Sequence, residues 1–206
     1  MTIRPALVTT GSLALGMLAM GAVQSGLTLS MTPEGGTASA GWLPMANPAD
    51  GGVTSPPFPA NLTAEERAHL QTFDALDFEV FSNHDWARLS ESHAANIRVH
   101  FADGHYTDGI DRHIADMSAW FDFAPDMNIK VHPLRIAKDN LTAVMGVLNG
   151  TFSKPMPDGN GGTIAPTGKA FAVDMLTVGI WNRQGTMDEE FLFWDNRTFY
   201  GEMGVS

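Results

Sequence analysis

Apolar residues recur at helical spacing early in the chain. Leu70, Phe73, Leu76 and then Val80 or Phe81 define one face of an amphipathic helix that reaches about residue 83. Its start is marked by Thr63 with Glu66 three residues on, a capping box in which each side chain satisfies a free backbone N–H of the other residue. A second, shorter helix is predicted from near Asp85, with Trp86, Leu89 and His93 on one face. The period then changes to two. Ile97, Val99 and Phe101 alternate with Arg98 and His100, the pattern of a half-buried strand. Asp103-Gly104 turns the chain, and a third helix follows from about Ile110. Its buried side carries Ile110, His113, Ile114, Met117 and Trp120 or Phe121, and Pro125-Asp126 ends it.

Beyond that point the pattern reads as strand. Segments 127–138, 141–153, 169–182 and 186–196 are separated by Asp139-Asn140, by the loop PMPDGNGGTIAPTG and by Arg183-Gln184-Gly185. The loop is expected to form a mobile rim. The order is helix, helix, strand, helix and then four antiparallel strands. This predicts an α+β fold with helices packed on one face of a curved sheet.

The chain ahead of this domain has a different character. Residues 1–26 pair one early cation, Arg4, with an apolar run from Ala6 to Val23 that Gly11, Gly16 and Gly21 interrupt. That is the pattern of a secretory signal peptide, and the run is also just long enough for a membrane anchor. Either reading places the working domain outside the cytoplasm, periplasmic or secreted. Residues 27–60 are rich in Gly, Pro, Ser and Thr and read as a flexible linker to a domain at 61–206, with Trp42 and Leu43 as an isolated apolar pair.

Charge and composition narrow the chemistry. The formal net charge of −11 argues against nucleic acid and against an anionic membrane surface, both of which select basic proteins. The chain contains no cysteine, which excludes disulfides, thiolate metal sites and a cysteine nucleophile. GGTIAPTGKA is not a phosphate-binding loop: the glycine spacing is one residue too long, Ala170 stands where Ser or Thr is needed, and a strand follows instead of a helix. His93, His100, His105 and His113 crowd one part of the chain, but without H-x-H or H-E-x-x-H spacing no metal site is specified.

The stretch FLFWDN, at 191–196, carries the most pointed question. Alternation puts Glu189, Phe191, Phe193 and Asp195 on one face of the last strand, and Glu190, Leu192 and Trp194 on the other. If the phenylalanine face looks inward, Asp195 enters an apolar cavity and its raised pKa suits a general acid or base. The other reading makes Asp195 a cap for the turn that follows, with Asn196 assisting.

From about Phe73 to Val205 the chain resembles the SnoaL-like polyketide cyclases of the nuclear transport factor 2-like superfamily. The residues that carry the resemblance are HDWARL in the second helix, RVHFADG with the following Gly109, APD at 124–126, APTGK at 165–169 and the closing MDEEFLFWDNRTFYGEMG. It implies a cone-shaped, curved antiparallel sheet against three N-terminal helices, a deep apolar pocket, frequent dimers and, in the cyclases, ring closure by an acid/base Asp without metal or cofactor. The matching position is Asp195. The pattern often has Glu-His-Trp where this chain reads Glu189-Glu190-Phe191.

Three functions follow as expectations. In the first, a cofactor-free cyclase, isomerase or lyase uses Asp195 to move a proton beside a carbonyl, with His113 or His100 polarising the oxygen. Its pocket wall comprises Phe78, Trp120, Phe121, Met145, Phe171, Phe193 and Trp194. In the second, the same pocket only binds a small apolar or carbonyl-containing ligand. In the third, the outer face of the sheet forms a homodimer.

Overall fold

The computed structural model describes residues 54–205. The signal or anchor at 1–26, the linker up to residue 53 and the Trp42–Leu43 pair lie outside the described residues. Among the described residues, no helix is long and apolar enough to cross a membrane.

Helix α1, Ala64–Ala75, begins as its capping box predicts. Thr63 N–H donates to Glu66 Oε2 at 2.8 Å and Glu66 N–H to Thr63 Oγ1 at 3.1 Å. Glu66 Oε1 also accepts from the Asp139 N–H at 2.9 Å, so the same carboxylate fixes a distant strand turn. These bonds to the Thr63 and Asp139 backbone hold its carboxyl down at about 2. The helix continues as a π-helical turn, Leu76–Phe81, and a 3-10 turn at Trp86–Glu91 replaces the predicted second helix. Leu70, Phe73, Val80 and Leu89 are buried together, each burial stabilising the fold by about 1.5–3 kcal/mol.

The strands are β1 (His93–His100), β2 (Tyr106–Asp108), β3 (Asn128–Ile129), β4 (Leu134–Lys138), β5 (Leu141–Thr151), β6 (Met156–Pro157), β7 (Thr163–Ile164), β8 (Ala170–Trp181) and β9 (Met187–Trp194). Helix α2, Ile110–Phe123, joins β2 to β3, and α3, Asn196–Met203, closes the chain. One sheet runs β2-β1-β9-β8-β5-β3, with β4 also on β5. All its pairs are antiparallel except β1 with β9, which run parallel. The architecture is α+β with an antiparallel-dominated curved sheet that does not close into a barrel.

Several boundaries differ from the sequence reading. The segment expected as one strand at 127–138 breaks into β3 and β4, because His132 and Pro133 lie between them and the His132 ring turns inward. The loop at 155–168 carries the short hairpin of β6 and β7. Helix α3 was not expected; Asp195 starts it. The end of the predicted linker lies on the domain: Ser55 Oγ accepts from the His132 N–H at 2.9 Å, Arg135 bonds the Pro56 carbonyl, and the Arg135 guanidinium sits 4.3 Å from the Phe58 ring centre.

Candidate functional site

Each strand of the sheet has an inner face toward the helices and an outer face. On β9 the inner residues are Glu190, Leu192 and, half-buried, Trp194, while Phe191 is half-buried and Phe193 is 49% exposed on the outside. This is the reverse of the parity on which Asp195 was expected to enter the cavity. The register explains it: Val99 pairs with Glu190 and Thr177 with Leu192, so Glu190 and Leu192 share the face of the buried Val99 and Thr177. Alternation alone cannot say which face is inside, and three aromatics in six residues made the wrong face look buried.

The inner face encloses a cavity of about 40 Å³. Its apolar wall includes Leu76, Phe81, Phe101, Met117, Trp120 and Met175. Its polar end is built by His93, His113 and Glu190, with Asp77, Asp116 and Thr177 alongside. These polar residues are all buried.

Each arrives by a separate local device. His93 is the first residue of β1, directly after the 3-10 turn. Gly109, at φ 93°, supplies a backbone conformation that other residues rarely adopt and starts α2, whose first turn carries His113 inward. Glu190 lies on β9 opposite Gly179, where a Cβ would come within 2.5 Å of the Met187 sulfur. Asp77 projects from the π-helical turn, whose wider winding re-aims side chains relative to α1.

Glu190 Oε2 lies 3.5 Å from His93 Nε2 and 3.3 Å from His113 Nε2. Burial pushes the His113 imidazole down to about 4 despite the neighbouring carboxylate, which keeps it neutral near pH 7. Burial would raise the Glu190 carboxyl, but His93 and His113 outweigh it and hold the group below its ordinary range. Asp77 behaves oppositely: burial raises its carboxyl, with His132 opposing. Two buried acids with opposite shifts therefore face one cavity. Behind Asp77 stands a buried His132, Nε2 2.8 Å from Asp77 Oδ2 and Nδ1 2.7 Å from Asp74 Oδ1. Burial lowers the His132 imidazole, and bonds to Asp74 and Asp77 more than restore it, leaving it above its ordinary value. Arg135 pairs with Asp74 and completes this network.

The expected site residues are dispersed. Asp195 is exposed and is the N-cap of α3, accepting from the Arg197 N–H at 3.1 Å, the Thr198 N–H at 3.3 Å and the Thr198 hydroxyl at 2.6 Å. The Thr198 hydroxyl and the Arg197 N–H hold its carboxyl below the usual range, opposite to the expected direction. His100 is on the outer face, 3.0 Å from Glu189 Oε2 and stacked on Phe191 at 4.2 Å. Phe193 and Met145 are outer-face residues too; Met145 pairs with Leu134 and Leu176. Phe121 and Phe171 belong to the core, and Phe78 lies against His132 with ring centres 4.4 Å apart. Trp120 lines the cavity, and Trp194 packs edge-on against it at 5.3 Å. His113 is the expected catalytic side chain that the fold places at the cavity. His93 was named only among the clustered histidines and Glu190 only on the face opposite Asp195, while Asp77 and Asp116 were not singled out. Their only sequence signal is polar residues at positions of apolar phase, such as His93 beside Leu89.

Among the described residues, His93, His113 and Glu190 each offer one ligand atom within 4.8 Å of the others. They form the set best placed to hold a metal ion.

The comparisons with known proteins agree with this architecture. The family model for the SnoaL-like polyketide cyclases matches residues 73–200. A proposed SnoaL-like polyketide cyclase from Jannaschia sp. CCS1 superposes with a TM-score of 0.62 at 18% identity, covering 72% of this chain and 99% of its own. IdmH, a proposed polyketide cyclase from Streptomyces antibioticus, gives 0.57 at 23% identity, with 66% and 99% covered. A proposed polyketide cyclase from Xanthomonas campestris pv. campestris gives 0.59 at 12% identity, with 69% and 100% covered. At these identities the likeness concerns the fold. Comparison with curated proteins gives no match.

Proposed function

Given that the chain belongs to the SnoaL-like polyketide cyclase family, we propose that it binds a small carbonyl-containing molecule in the inner cavity and moves a proton on it. The observation that carries the proposal is the cavity's polarity. An apolar wall ends in His93, His113, Glu190 and Asp77, drawn from four separate elements, with buried polar atoms of His93, Glu190 and Asp116 left without hydrogen-bond partners. A fold leaves such groups unsatisfied at a cost, which a ligand's oxygen or proton offsets.

In this reading the His93–Glu190–His113 end accepts the proton from the carbon beside the carbonyl, and Asp77 donates one to the carbonyl oxygen. The enol then returns its hydroxyl proton to Asp77 as the carbonyl re-forms, and either takes the abstracted proton at the γ-carbon of a conjugated substrate, an isomerisation, or attacks a second carbonyl whose oxygen takes that proton, a cyclisation. The cavity of about 40 Å³ favours a small substrate over a fused-ring polyketide, because pockets for drug-sized ligands run to hundreds of Å³. The half-buried Phe101, Met117 and Trp120 are the side chains whose rotation enlarges it. The test is substrate-independent: the domain is incubated in D₂O with a panel of small apolar ketones and 1,3-dicarbonyls, and loss of the α-proton signals is followed by NMR. Catalysed exchange above the buffer rate supports the proposal. No exchange with any member, by a folded protein, removes it.

A second reading concerns assembly, and we propose a homodimer through the outer face of the sheet. Leu134, Ile136, Leu141 and Phe193 are 41–50% exposed there, beside the half-buried Met145, Leu176, Val178 and Phe191. Contiguous apolar surface of this kind marks an interaction site. The double variant Ile136→Glu with Phe193→Glu should run as a monomer in light scattering where the wild type runs as a dimer. Export from the cytoplasm is likewise proposed, from the pattern at 1–26, and the N-terminal sequence of the mature protein tests it.

A further inference from the structure

The contacts of His93 limit what can lie between it and Glu190. Ser92 Oγ is 3.2 Å from the Leu89 carbonyl, which can only accept, and 2.8 Å from His93 Nδ1. The hydroxyl has a single proton. Both contacts are satisfied when Ser92 donates to Leu89 and accepts from a protonated His93 Nδ1. Nε2 then faces a carboxylate oxygen, Glu190 Oε2, at 3.5 Å, and both atoms are buried without a hydrogen-bond partner. A ring nitrogen and a carboxylate held this close inside the fold are stabilised by a cation between them, a proton or a metal ion.

The spacing favours a metal ion over a proton. His93 Nε2 and His113 Nε2 stand 3.5 and 3.3 Å from Glu190 Oε2, long for a charge-assisted hydrogen bond. Around an ion with bonds of about 2.0–2.1 Å in tetrahedral geometry, neighbouring ligand atoms lie roughly 3.3 Å apart. From these distances and the Ser92 contact we propose that His93 Nε2, His113 Nε2 and Glu190 Oε2 bind a divalent first-row transition ion of the zinc class. Two imidazoles and one carboxylate suit zinc or iron(II) and do not suit magnesium or calcium, which take oxygen ligands. The set carries one negative charge and faces a cavity of about 40 Å³, enough for a water or the reacting end of a small ligand. Ser92 on His93 Nδ1 is the outer partner that orients a ligating imidazole. The unpartnered Asp116 Oδ2 lies on the same cavity, placed to accept from a bound water.

This inference goes beyond the proton-transfer reading, and its binding test is separate from the exchange test. An ion held there would supply Lewis-acid polarisation of a carbonyl oxygen, with Glu190 serving as a ligand, while Asp77 would keep its place beside that oxygen. The experiment treats the full chain with chelator, removes the chelator, and titrates with Co²⁺ as a visible-absorption probe and then with Zn²⁺. The expected result is one Co²⁺ per chain with the absorption of a low-coordinate site, displacement by one Zn²⁺ and a rise in Tm. His113→Gln and Glu190→Gln should each weaken binding by more than about 100-fold, since even outer-shell partners of a metal cost up to that. His100→Gln, on the outer face, should leave binding unchanged. X-ray absorption on the zinc-loaded wild type should show imidazole in the first shell, a readout that does not depend on either variant folding. Failure of the folded wild type to bind either ion stoichiometrically overturns the proposal. So does unchanged binding in a folded His113→Gln variant, or a zinc shell without imidazole. A protein that binds no ion yet exchanges α-protons loses the metal site and keeps the proposed function; one that binds the ion but exchanges nothing does the reverse.

Discussion

The two faces of the curved sheet invert the usual distribution of residues. The inner face, which water does not reach, holds Glu190 and Thr177 and receives His93, His113 and Asp77 from neighbouring elements. The outer face, which water does reach, shows Leu134, Ile136, Leu141 and Phe193. Buried polar atoms without partners call for a ligand, and exposed apolar side chains call for a partner surface. The difference separates the two roles proposed for the same strands, chemistry inside and assembly outside. Because side chains alternate, adjacent residues of β9 face different surroundings.

The sharpest way to break this comparison is to place one charge on either side of it. Leu192→Asp buries an unpaired carboxylate among Val99 and Thr177 and should destabilise the fold by about 4 kcal/mol or more, read as loss of the cooperative urea transition. Phe193→Asp, one residue on, should leave the monomer within roughly 0.5 kcal/mol of wild type while removing the proposed dimer. Equal effects from the two would mean that the faces are not distinct.

A smaller effect tests the network behind the inner face. Asp74 and Asp77 hold the His132 imidazole above its ordinary value against the opposing effect of burial. A raised folded pKa means that this contribution is fully present below the unfolded value, near pH 6.5, and is lost as pH rises through the folded pKa. His132→Gln should therefore lower stability at pH 6 and flatten the decline above it, measured as ΔG of unfolding across pH. The smallest effect belongs to Asp195. Its folded carboxyl is depressed, so its contribution is present above the ordinary carboxyl range and is lost as pH falls through the folded value. Asp195→Ala should lower Tm modestly at pH 7, and the gap from wild type should close on acidification below about pH 4.

Much of the fold was legible because its signals are local. The Thr63–Glu66 capping box, the helical phase of Leu70 and Phe73 and the turns at Asp139 and Gly185 depend on residues a few positions apart, and each sits where the pattern put it. The break at His132 and Pro133 was less visible, since an inward polar side chain within an apolar stretch reads as strand. The cavity was largely hidden. His93, His113 and Glu190 meet through a parallel pairing of β1 with β9, a long-range contact without trace in residue spacing. The strand parity of FLFWDN was legible and its polarity was not: Phe191 and Phe193 have the composition of a core but face outward, while Glu190 has the composition of a surface and is buried.

Under the proposed function the working carboxylate is Glu190 at the cavity and not Asp195 at the strand end. The most direct test compares α-proton exchange on a responsive ketone by wild type, Glu190→Gln and Asp195→Asn, each confirmed as folded by circular dichroism. Glu190→Gln should lose about 100-fold or more of the exchange rate, in the range expected for removing a general base, while Asp195→Asn should stay close to wild type. Loss of exchange in Asp195→Asn with retention in Glu190→Gln would contradict it.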